Sequence, residues 1–352
     1  MEDEFLTRKN FKSGMEYYTI EDFASVEKYD GHMHLNTFEE SFVKQSEEDN
    51  FKLITINIDV ASDFPTIKEQ QDFAVQQSKK FSGTVYYAAA FSVKNFNNAN
   101  WHTETIAVLK NSFSAGAVAV KVWKNIGMEL KDSNGNFVMI DHPKFDPVFG
   151  FLIKNNIPLI GHLGEPKNCW LPIEKMTVKG DVNYFSSHPE YHMYLHPEYP
   201  SYEDQVNARD RMLQKHPDLK FIGAHLGSLE WSIDELAKRL AKFPNMAADT
   251  AERISHLQLQ AITDWQKVHD FFIKYQDRII YGTDIIVDGT KTPLEMKKHA
   301  HDIRLRHWKF FTSGDMMRVP KVDGEFKGLK LPGEVIEKIY RKNVEKWFQL
   351  NQ

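Results

Sequence analysis

The segment YDGHMHLN, residues 29–36, places two imidazoles, His32 and His34, one residue apart at the end of an apolar run. Side chains alternate across a strand, so the two rings point to one side and can converge on a point. Taken singly, such a pair reads more readily as two polar residues at a strand end. Further along, GHLGEP carries His162, GAHLGS carries His225 and YGTD carries Asp284, each closing another apolar run, while Lys121 lies within VKVWKN. Three or four imidazoles with a carboxylate suit a borderline divalent ion such as Zn²⁺, and a shell short of full protein coordination leaves room for a reactive water.

These side chains can meet only if the elements that carry them share a mouth. Short runs rich in Val, Ile and Tyr alternate with stretches of helical period, the pattern of repeated βα units on a parallel sheet. Strands are expected near 26–35, 51–58, 84–91, 117–125, 157–164, 219–227, 244–251 and 277–285. Helices are expected over FPTIKEQQDFAVQQSKKF, TETIAVLKNSFSAG, FDPVFGFLIKNN, YEDQVNARDRMLQKH, SIDELAKRLAKF and TDWQKVHDFFIKY. Eight strand–helix units within about 280 residues match a (β/α)8 TIM barrel, whose active sites lie at the C-terminal ends of the strands. His32 and His34 then end strand one, Lys121 lies in strand four, and His162, His225 and Asp284 end strands five, six and eight.

No Pro/Gly/Ser-rich linker divides the chain, so residues 1–352 are expected to form one domain. The barrel would span about 26–310, with an N-terminal extension over 1–25 and a C-terminal helix over about 332–349. Three connections exceed ordinary βα loops. Residues 125–146 contain Asn134-Gly135 and suggest a small hairpin; residues 165–200 are dense in Pro, Tyr and His; residues 311–331 form a turn-rich excursion. The first two follow strands four and five and are lid candidates on the C-terminal face.

The lid supplies weaker candidates. Glu165 could bond substrate or cap its loop, and Trp170, Tyr184, Tyr191 and Tyr194 could wall a pocket. Arg209 and Arg211 could reach a carboxylate, although solvated arginines are common on helix faces. His188, His192 and His196 recur every fourth residue, but Pro189 and Pro197 argue against a helix that would align them.

Composition narrows the partners. A net charge of −5 and a pI near 6.3 provide no basic field for nucleic acid or an anionic membrane. The single cysteine, Cys169, excludes an intramolecular disulfide and a thiolate zinc cluster. No stretch approaches the roughly 20 apolar residues of a membrane span, and the N-terminus has no apolar leader core. A cytoplasmic protein acting on a small molecule is expected, with a removed signal peptide invisible here and a homodimer left open.

The H-x-H after strand one, His after strands five and six, and Asp after strand eight resemble the amidohydrolase superfamily. The GHLGEP, GAHLGS and YGTD contexts and the closing LPGEVIEKIYRKNVEKWF are most similar to its "amidohydrolase 2" branch, which includes aminocarboxymuconate semialdehyde decarboxylase. The likeness covers roughly residues 27–349. It implies one divalent metal ion, most often Zn²⁺ with Mn²⁺ or another transition metal as alternatives, held by His32, His34, His162 and Asp284. It implies that His225, together with Asp284, handles the proton of a metal-activated water. Lys121 is open to three roles: a carboxylated bridge between two metals, a free lysine binding a substrate anion, or a structural ion pair. The reaction implied is hydrolysis of an ester, lactone or amide, with nonoxidative decarboxylation of an unsaturated or aromatic acid as the alternative.

Overall fold

The computed structural model describes residues 13–60 and 64–350. Eight parallel strands follow in order round one sheet: β1 (Lys28–Leu35), β2 (Phe51–Ile56), β3 (Val85–Ala90), β4 (Ala119–Val122), β5 (Leu159–Gly161), β6 (Phe221–Gly223), β7 (Met246–Asp249) and β8 (Ile279–Ile280). A ninth, β9 (Ile286–Val287), pairs in parallel with the end of β1 at His34 and Leu35. Between β8 and β9 the chain stays against β1: the Gly31 N–H donates to the Tyr281 carbonyl at 2.8 Å, and the His34 N–H to that of Ile285 at 2.8 Å. The sheet thus curls toward its own first strand, a TIM-barrel-like α/β architecture.

Each expected strand is present but shorter, because the ladder stops where the chain turns to present a polar side chain. The run 219–227 is a case in point: β6 ends at Gly223, and His225, Leu226, Gly227 and Ser228 all follow with positive φ. The six expected helices form as Ile67–Lys80, Trp101–Ser114, Asp146–Lys154, Tyr202–Lys215, Ile233–Lys242 and Trp265–Lys274. Capping boxes start two of them, Thr66 with Glu69 and Ser201 with Asp204. A 20-residue helix, Pro293–Thr312, follows β9.

Two apolar layers fix the strands. Tyr29, Ile54, Ile56, Ala88, Ala119, Ile160, Ile222, Ala247 and Ile280 pack with Val344, Trp347 and Phe348 of the C-terminal helix. On the opposite face, Met33, Leu35, Leu53 and Val85 pack against Phe42, Val43, Met296 and Ala300 of covering helices. The pairing of β1 with β2 slips between Asp30, opposite Leu53, and Met33, opposite Thr55. Simple alternation would put Tyr29 and Met33 on one face. The bulge separates them, so that Tyr29 joins the inner layer, Met33 joins the outer one, and His32 and His34 turn inward.

The C-terminal segment is helical from Gly333 to Phe348, with a π turn over Lys338–Lys342. There the Ile339 carbonyl accepts the Tyr281 N–H at 3.0 Å, which ties the helix to the end of β8. The hairpin expected around Asn134-Gly135 is reduced to one bridge, Lys131 to Phe137, because Asp132 instead folds the turn onto itself by accepting from the Asn134 and Asn136 N–H groups. The excursion at 311–331 does form a hairpin, β10 (Met316–Met317) with β11 (Phe326–Lys327). Residues 165–200 fold as short turns around the helix Lys179–Ser187, on a small core of Met128, Cys169, Phe185 and Met193. His188, His192 and His196 do not align there; each bonds a backbone carbonyl, of Tyr184, Leu171 and Pro189 respectively. Among the described residues, no helix is long and apolar enough to cross a membrane.

Candidate metal centre

His32, His34 and Asp284 each offer a ligand atom within 4.8 Å of the others. Their hydrogen bonds say which atoms are free. His32 Nδ1 lies 2.7 Å from Asp249 Oδ2 and His34 Nδ1 lies 2.7 Å from the Ile56 carbonyl, so each Nδ1 carries the proton and each Nε2 keeps its lone pair. Both Nε2 atoms face Asp284 Oδ1, at 3.4 and 3.3 Å. Three acceptors therefore converge with no proton assigned between them, an arrangement that a cation satisfies. Close approach at this point depends on Gly282, where a Cβ would lie 2.8 Å from the His32 Cβ.

Burial also favours the neutral form of several of these imidazoles. Burial lowers the pKa of His34, outweighing the pull of Asp284, and holds His162 well below the ordinary imidazole value. Burial likewise pushes His225 down to about 3. Burial tends to raise Asp284, but the surrounding imidazoles, His225 foremost, keep its carboxyl well below the usual range. Neutral imidazoles beside an ionised carboxylate are the protonation states that a metal requires.

His162 and His225 stand next in line. Their rings are 4.2 Å apart, and His225 is 5.0 Å from His32. His162 Nε2 is buried with no hydrogen-bond partner. His225 Nδ1 bonds the Ala251 carbonyl at 3.0 Å, which leaves its Nε2 as a base. His225 itself has φ 58° and Asp284 has φ 63°, left-handed conformations that are rare for such residues and that cluster at functional sites.

Lys121 Nζ lies 3.3 Å from His32 Nε2, and burial, opposed by Asp249 and Asp284, lowers its pKa to about 8. Among the described residues it makes no ion pair, so the structural salt bridge is not what holds it. Glu165 is buried and pairs with Lys124, and its other oxygen is 3.9 Å from His162 Nε2. Trp170 packs on Tyr202 at 5.6 Å and on the Met128–Cys169 core.

Two expectations need correction. Arg209 is not available to substrate: it is 1% exposed, and it bonds Asp210 and the Gly227 carbonyl, bracing the turn that carries His225. Tyr194 is 52% exposed and stacks on His192, and Tyr191 is also exposed, with Lys124 Nζ 5.4 Å from its ring. Cys169 is inert, since burial pushes its thiol up to about 12. Sequence reasoning missed Asp249, whose carboxylate orients His32 and accepts the His225 and Ala251 N–H groups. It also missed Lys124 and the buried Arg253. The one available signal was an acidic residue ending β7.

The family model described as Amidohydrolase matches residues 100–350. The chain belongs to the amidohydrolase 2 family. Solved structures share its fold: 2,6-dihydroxybenzoate decarboxylase from Rhizobium is 16% identical with TM-score 0.53, covering 93% of this chain and 99% of that one. An amidohydrolase II gives 15% and 0.52, covering 92% and 100%, and an uncharacterized TIM-barrel protein from Bordetella bronchiseptica gives 14% and 0.51, covering 92% and 99%. No curated protein matches this amidohydrolase in sequence. Membership makes it an enzyme of the amidohydrolase superfamily, and the His32–His34–Asp284 group is where such an enzyme could hold its metal.

Proposed function

We propose that this amidohydrolase is a mononuclear metal-dependent hydrolase of a small-molecule ester, lactone or amide, built on a (β/α)8 barrel with residues 165–200 as a lid over the C-terminal mouth. The convergence of His32 Nε2, His34 Nε2 and Asp284 Oδ1 carries the reading. A divalent ion, Zn²⁺ by preference for nitrogen and oxygen donors, would be held by these residues with His162, and would supply Lewis acidity and an acidified water. The chain's own residues do the rest. His225, neutral and with Nδ1 committed to Ala251, accepts a proton at Nε2 and returns it to the leaving group. Asp284 stays ionised at the mouth, Asp249 fixes the His32 tautomer, and the buried Lys121 presents an ammonium group to substrate oxygen, with Lys124 held beside it by Glu165.

A second reading, nonoxidative decarboxylation, is favoured by one observation: Lys121 is buried beside His32 with no ion-pair partner among the described residues, where a substrate carboxylate would be welcome. Elemental analysis after dialysis tests the common ground, with about one divalent ion per chain expected; two per chain would move Lys121 to the carboxylated bridging role. Assays of an ester and lactone panel beside a panel of unsaturated and aromatic acids, the latter followed by CO₂ release, then separate the chemistries. Turnover confined to the acids would overturn hydrolysis.

A further inference from the structure

The helix Pro293–Thr312, the Val319–Lys321 segment and the chain after β7 enclose a cavity of about 430 Å³ that reaches Asp284. Its wall carries three cationic side chains against two carboxylates, Glu252 and Asp284. Lys291, Arg306 and Lys321 line it together with His299 and His307. Lys321 is paired with Glu252, but among the described residues neither Arg306 nor Lys291 takes part in an ion pair or hydrogen bond. The cavity's other carboxylate, Asp284, has its oxygen turned to His32 and His34. Neither Arg306 nor Lys291 is therefore held at short range by a carboxylate, although Asp288 and Glu295 lie near Lys291 and Asp302 lies near Arg306.

His307 lines the same cavity. Its Nδ1 is 3.1 Å from the Tyr281 hydroxyl, and with that hydroxyl donating, the ring proton sits on Nε2. Burial, reinforced by Arg306 and Lys321, pushes His307 down to about 3, so the ring is neutral, with one N–H to give. A guanidinium, two ammonium groups and an imidazole N–H around one space match the oxygens of a carboxylate or phosphate. Solvated arginines need no such enclosure, and a purely structural cluster would be expected to pair its charges.

We propose that this cavity is an oxyanion-binding subsite adjoining the imidazole cluster at Asp284, with Arg306 as its principal contact and Lys291 and Lys321 as supporting charges. Resting on the reading of the cluster as the reaction centre, its occupant is the anionic end of the substrate, a carboxylate or a phosphate.

The test is calorimetric titration of zinc-loaded protein at low salt with inorganic phosphate and, separately, with malonate. One anion is expected to bind at one per chain, and which one does so identifies the group. Arg306→Met should weaken that binding roughly tenfold or more, the worth of one charge-assisted contact. Should this variant fail to fold, Lys291→Met, at an exposed position, is expected to weaken it roughly threefold. Zinc content measured on the same samples reports separately on the metal reading. Binding by neither anion, or equal affinity in the wild type and the folded variants, would overturn the proposal and place any bound anion at the imidazoles instead.

Discussion

Asp249 holds two parts of the site with two oxygens. Oδ2 accepts from His32 Nδ1 at 2.7 Å, and Oδ1 accepts the His225 N–H at 2.8 Å and the Ala251 N–H at 3.1 Å. Groups that orient a metal-ligating histidine typically govern metal affinity by 10–100-fold. Asp249→Asn keeps the shape but can present an N–H to His32, which favours the wrong tautomer. Roughly that loss of zinc affinity is expected, measured by competition with a chromophoric chelator. Unchanged affinity would mean that His32 does not depend on this bond. The variants His162→Ala and Asp284→Ala should lose metal and activity together. His225→Ala should keep the metal and lower turnover by roughly 10²–10⁴, the usual worth of a positioned acid–base group; equal metal loss in all three would make His225 an ordinary ligand.

Among the elements, the turn after β6 shows why some of the site was legible and some was not. His32, His34, His162, His225 and Asp284 stand out in sequence because apolar strand runs are easily recognised and a polar residue closing one is conspicuous. The geometry they need is set by contacts that no local pattern reveals. Asp249 lies 217 residues from the histidine it orients, and the β1 bulge exists only in its pairing with β2. Arg209 reads as a helix-face arginine, yet the helix Tyr202–Lys215 packs it beneath residues 225–228, where it bonds the Gly227 carbonyl. That turn places His225 and Leu226 at positive φ, which is unfavourable for residues with a Cβ and must be held by its surroundings. Arg209→Met removes the bond and strands the carbonyl. A loss of about 1–3 kcal/mol in unfolding free energy is expected, together with a fall in turnover at unchanged zinc content if His225 acts as proposed, because the turn carries His225 and not the three converging ligand atoms. A variant as active as the wild type would show that the turn holds itself.

For the whole molecule, the buried imidazoles couple stability to pH and to metal. His34, His162 and His225 all have pKa values lowered in the folded state, the last to about 3, against an ordinary value of 6.5. Below about pH 6.5 the unfolded chain takes up protons that the folded chain refuses, and stability rises with pH wherever the unfolded state binds more protons. Chelator-treated protein should therefore be fully stabilised by these groups above pH 6.5 and lose that stability as the pH falls from 6.5 toward 3. Asp284, lowered as well, acts in the same direction below its ordinary value of 3.8. Metal sharpens the dependence, since it binds the deprotonated ligands and stabilises by mass action, by about 2.7 kcal/mol at a hundredfold excess over Kd. Thermal unfolding at pH 5.0, 6.0 and 7.5, with and without zinc, measures both effects. The expected result is a Tm of the metal-free protein that climbs from pH 5.0 to 7.5, and a zinc-induced rise in Tm that is larger at pH 7.5 than at pH 5.0. A flat metal-free profile would mean that the imidazoles are not held neutral by the fold. A zinc effect independent of pH would mean that the ion is bound by carboxylates elsewhere, because histidine ligands must shed their protons before they can coordinate.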